Sequence, residues 1–64
     1  MGDHLERMVT ERNELNDKAY KLSQFIDSNP IFGALSNTQQ NLMRLQLQAM
    51  QFYSSILDMR IDIE

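Results

Sequence analysis

The chain has 64 residues, six of them basic and nine acidic, for a formal net charge of −3, and it contains no cysteine. That length supports one domain at most, and a monomer of this size buries only about 60% of its unfolded surface. Disulfides and thiolate metal sites are excluded, so helix packing or oligomerisation must supply the missing stability. The acidic balance, with charges interspersed rather than massed, argues against direct nucleic-acid binding, which needs clustered Lys and Arg.

The start, "MGDHLERMV", has no basic region followed by an apolar run, so no secretory leader is expected there. Residue 6 is Glu6, not the Ser or Thr favoured for myristoylation of Gly2. No window approaches about 18 uncharged apolar residues, so no membrane span is expected, and a cytoplasmic location follows as an expectation.

Asp3 and Glu6 are spaced as an aspartate capping box, which predicts a helix start. Leu5, Met8, Leu15, Ala19, Leu22 and Ile26 recur at steps of three and four, with Arg12 in the missing step. That is a stripe on one face of a helix over about 4–28. The other face carries Glu14–Lys18 and Asp17–Lys21, i,i+4 pairs in the favourable order.

"SNP" ends this helix, because Pro30 pushes Asn29 out of the α region. The connection spans 29–36. Its Ile31, Phe32 and Leu35 are too apolar for an idle loop and are expected to plug the hairpin end. Ser36 and Gln39, in "SNTQ", form a second capping box and open a helix over about 37–63. The predicted fold is all-α: a single-domain, two-helix antiparallel hairpin over 1–64, dimerising into a four-helix bundle with the second helix towards the centre.

The second helix carries two apolar stripes. Leu42, Leu45, Ala49, Phe52, Ile56, Met59 and Ile63 make an unbroken heptad seam that matches the first helix's stripe in length. Met43, Leu47, Met50, Leu57 and Ile61 make another, with Tyr53 between the two. One narrow stripe on the first helix covers only one of them. The expectation is that the unbroken seam packs inside the hairpin. Met43, Leu47, Met50, Tyr53, Leu57 and Ile61 would then form an interface, because a long exposed apolar patch on a small domain marks one. On this reading a charge at Leu57 disrupts an interface, and a charge at Ala49 disrupts the hairpin itself.

Residues for chemistry are scarce. His4 is the one histidine, at a helix start. There is no Glu-x-x-His motif for a di-metal bundle site and no glycine-rich phosphate loop. No catalytic residue, metal ligand or cofactor site is expected, and the chain reads as a non-enzyme. Arg44, Arg60, Lys18, Lys21, Tyr20 and Tyr53 are the side chains that could contact phosphates and bases, although they are scattered in sequence.

"ERMVTERNELNDKAYKLSQFI", the break "NPIFGALS" and "QQNLMRLQLQAMQFYSSILDMRI" resemble a family of small, uncharacterised helical-hairpin proteins of tailed phages and prophages, grouped around a crAss-like-phage protein. The matching positions are Lys21, Leu22, Phe25, Ile26, Phe32, Leu35, Leu45, Gln48, Ala49, Met50, Tyr53, Ile56, Leu57, Arg60 and Ile61. The resemblance covers residues 5–63, with Gln, Asn and Ser where relatives carry more Glu and Lys in the second helix. It implies a phage origin and a helical hairpin, and no activity. The function expected from the whole chain is an accessory protein that binds and modulates a host protein. The alternatives are an oligomer that sequesters a small nucleotide signal, and a self-assembling bundle with no further partner.

Overall fold

The computed structural model describes residues 2–64. Two long helices, α1 (Gly2–Ser28) and α3 (Asn37–Asp62), pack against each other and are joined by a one-turn helix, α2 (Pro30–Ala34). The hairpin is a rod of 47 × 15 × 13 Å.

Helix α1 starts at Gly2, two residues before the expected boundary. Asp3 and Glu6 therefore lie within the helix and do not form a capping box. Asp3 instead places its carboxylate in the first turn, where the helix dipole favours it. Of the two surface pairs expected on α1, Asp17–Lys21 forms at 3.0 Å. Both of its side chains are largely in water, so it contributes little.

The break at "SNP" has a specific construction. Asn29 is extended, with φ −87° and ψ 122°, and its side chain accepts a hydrogen bond from Ile31 N at 2.9 Å. Pro30 occupies the first turn of α2, where its missing N–H costs nothing. The stretch expected to be loop is thus a capped helical turn. Phe32 is buried and meets Phe25 edge to face, with centroids 6.2 Å apart. The Arg44 guanidinium lies over the Phe32 ring, 5.1 Å from its centroid. Gln40 reaches back from α3 and donates to the carbonyls of Phe32 and Leu35 at 3.0 and 3.1 Å. The expected plug is therefore Phe32, with Leu35 half-buried. Ile31, expected to join it, points to solvent.

Helix α3 opens on the expected capping box. Ser36 Oγ accepts from Gln39 N at 3.2 Å, and Gln39 Oε1 accepts from Ser36 N at 3.3 Å. Helix α3 ends one residue early, with Ile63 as its C-cap.

Only Met8, Ala19, Phe32 and Leu57 are buried apolar residues among those described. This is a thin core for an independent domain. Gly33 sits inside α2 with negative φ, and a Cβ there would meet nothing within 4 Å. Gly33→Ala should therefore stabilise the chain by about 0.4–1 kcal/mol through the unfolded state, read as a raised urea midpoint with unchanged slope.

Candidate binding surface

The stripe on α1 forms the inner face as expected: Met8 and Ala19 are buried, and Leu5, Arg12, Leu15, Leu22 and Ile26 are half-buried. Its partner on α3 is not the unbroken seam. Leu57 is 0% exposed, Ser54 is buried, and Met43, Leu47, Met50 and Ile61 are half-buried. These are the residues expected to form an external interface, and the hairpin uses them internally. The seam expected inside lies outside: Leu42, Leu45, Phe52 and Met59 are 58–69% exposed, and Ile63 more so. Ala49 is exposed too, and Ile56 is half-buried. The expected consequences of charges at Leu57 and Ala49 are reversed with them.

Polar side chains explain the exchange. Arg12 interrupts the α1 stripe, and its Nη1 donates to Asp58 Oδ1 at 3.1 Å. Ser54 interrupts the inner α3 stripe, and its hydroxyl donates to the Asn16 side chain. Four residues forward on α1 match four residues back on α3, so both pairs belong to one antiparallel register. Near them the Tyr53 hydroxyl donates to the Glu11 carboxylate, and at the open end His4 Nε2 lies 3.9 Å from Glu64 Oε1. Asn16, Ser54 and Gln40 were not singled out from sequence. Their only signal there is that Ser54 fills the missing step of the inner stripe.

The six side chains suited to phosphates and bases separate into three groups. Lys18, Lys21 and Tyr20 are exposed on α1, where Tyr20 accepts from Gln24 at 2.9 Å. Arg44 is held over Phe32 at the tip. Tyr53 and Arg60 lie seven residues, about two helical turns, apart on the same side of α3, and the Arg60 charge acts weakly on the Tyr53 phenol. Tyr53, expected at the interface, lies partly exposed along the edge of the outer seam. The clefts described on the single chain are open to solvent, and one follows the charged side of α1 past Asp3, Glu6, Arg7 and Glu14. Among the described residues no group of three or more His, Cys, Asp or Glu is placed to hold a metal ion. No helix among them is long and apolar enough to cross a membrane.

The sequence matches the family model described as Sequestin over residues 2–63. The chain belongs to the Sequestin family. Neither curated proteins nor solved structures gave a match. This member of the Sequestin family thus presents, on a two-helix hairpin, one apolar helix face with an aromatic and a guanidinium at its edge.

The Tyr53 phenol is raised above the ordinary tyrosine pKa, first by its hydrogen bond to Glu11, then by desolvation and the Glu11 charge, with Arg60 opposing. The folded chain holds the phenolic proton more tightly than the unfolded chain. The contribution of the Tyr53–Glu11 bond is therefore complete below the unfolded value, about 10, and is lost as pH rises through the folded one. In a Tyr20→Phe background the tyrosinate absorbance should titrate above free tyrosine, and Glu11→Gln should lower that midpoint. Leu57→Ala should cost about 2–5 kcal/mol, measured by urea unfolding followed at 222 nm. An unchanged midpoint would be incompatible with Leu57 as the buried centre.

Proposed function

We propose that the chain is a non-enzymatic sequestering protein, which withholds its target by binding it stoichiometrically and leaves it chemically unchanged. It assembles with itself through the outer seam of α3 and holds a small nucleotide-type ligand at the edge of that assembly. The observation that carries this reading is the exposed face of Leu42, Leu45, Phe52 and Met59, with Tyr53 and Arg60 beside it. An aromatic ring offers a stacking surface for a base, and a guanidinium pairs with phosphate. The family name Sequestin points the same way. The clefts of one chain are open, and ligand sites in small helical proteins form between facing helices, so a second copy is needed to enclose a ligand.

The resemblance to small phage and prophage proteins supports a setting in a host cytoplasm, where removing a signal would benefit an infecting element. In the second reading a host protein docks on the same seam, favoured by its length along α3.

A panel of cyclic and linear nucleotides, screened by thermal shift and followed by calorimetry, decides between them. The expected result is a shift with at least one, saturating at a fixed ratio, with ligand of unchanged mass recovered after heat denaturation. Arg60→Ala should weaken that binding roughly ten- to a hundredfold, as for loss of a charge-assisted hydrogen bond of about 1.5–3 kcal/mol. Recovery of a transformed ligand would refute sequestration. No shift with any nucleotide would refute the small-ligand reading and leave the host protein.

A further inference from the structure

The outer seam of α3 has a geometry that selects its occupant. We infer that α3 pairs antiparallel with the α3 of a second copy, with the two-fold axis between residues 50 and 51, so that each Ala49 packs against the partner's Phe52. This rests on the self-assembly proposed above and specifies its orientation and register.

Area argues for a second copy. The chain exposes 4887 Å² at a mass of 7.5 kDa, whereas a compact monomer of that mass exposes about 4,250 Å². The excess of roughly 600 Å² approaches the ~800 Å² that one partner contributes to a standard interface. It arises because the rod is three times longer than it is wide. A core of four buried apolar residues among those described needs cover wherever the chain is made, and another copy is the cover always present at synthesis.

Side-chain size argues for antiparallel pairing. Leu42, Leu45, Ala49, Phe52, Ile56 and Met59 alternate in the a and d positions of a heptad. In the proposed register Leu42 meets the partner's Met59, Leu45 meets the partner's Ile56, and the smallest side chain meets the largest. Parallel, in-register pairing would set Ala49 against Ala49 and Phe52 against Phe52, leaving a void beside a crowded layer.

Charge agrees. From Asn37 to Met50 the only charged side chain of α3 is Arg44, whereas Asp58, Asp62 and Glu64 lie at the other end with Arg60. Parallel pairing would bring the two acidic ends together. Antiparallel pairing places each acidic end along the partner's acid-free half and opposes the two helix dipoles.

The inner and outer seams lie roughly 150° apart around α3 at ~3.6 residues per turn. The pair is therefore layered, α1 outside and the two α3 helices in the middle, since a square bundle would need the seams about 90° apart. The same register sets the partner's Gln46 beside Tyr53, so the edge carrying Tyr53 and Arg60 is completed by the second copy.

The chain has no cysteine, so single-cysteine variants report cleanly. Leu42→Cys and Met59→Cys alter exposed positions that leave the hairpin intact. Each is oxidised alone, and the two are oxidised after mixing, with light scattering of the unmodified chain over a dilution series. The expected result is a two-chain mass, a disulfide-linked pair in the mixture, and none from either variant alone. Cross-linking of each variant with itself would show parallel pairing and overturn the inference. A monomeric mass, or a dimer that yields no cross-link, would overturn it as well. A nucleotide-induced thermal shift without the mixed cross-link would reject this arrangement and leave sequestration standing. The cross-link without a shift would do the reverse.

Discussion

Two polar pairs between the long helices, Arg12 with Asp58 and Asn16 with Ser54, decide which face of α3 is hidden. Each interhelical stripe has one polar interruption. Slide the helices by a turn, or rotate α3 to present its unbroken seam, and Arg12 loses its carboxylate. The Ser54 hydroxyl is buried, and without a partner it would cost about 1–3 kcal/mol, a large share of the stability of so small a chain, while the partly exposed Arg12–Asp58 pair adds less. The apolar contacts available from the two α3 stripes are similar in kind, so this penalty is enough to choose between them.

The surface follows from that choice. Once the inner stripe is spent on α1, the unbroken seam is left in water with five large apolar side chains exposed along it. The tip reinforces the arrangement from the other end. Gln40 donates to the carbonyls of Phe32 and Leu35, and Arg44 covers Phe32, so the first turns of α3 are tied in rotation before the long contact with α1 begins. Tyr53 is then held at the edge of the outer seam by Glu11, about two helical turns before Arg60. An aromatic ring fixed in place loses less freedom on binding a flat ligand than a mobile one.

The positions of the helices were legible because their signals are local. Steps of three and four, the absence of interior proline, the "SNP" break and the "SNTQ" box each act within a few residues of chain, and the long helices end within two residues of where those signals place them. The misreadings were local as well. Asp3 and Glu6 have capping-box spacing, but the helix begins before them. Ile31 reads as apolar as Phe32, but only Phe32 has the Phe25 ring and the Arg44 guanidinium to pack against.

The candidate site was legible only in half. The sequence by itself determined that α3 carries more apolar surface than α1 can cover, because hydrophobic periodicity is a property of each helix alone. It also determined the all-α hairpin, since the caps and breakers lie next to one another in the chain. Which stripe stays outside was decided only by tertiary structure. An unbroken seam is the better hydrophobic partner by count, and nothing within α3 says that Ser54 will find Asn16, or that Arg12 needs the carboxylate next to Leu57. Those pairs join residues 38 and 46 positions apart. Their energy is realised only when both helices are in place, so the periodicity of either helix alone carries no trace of it.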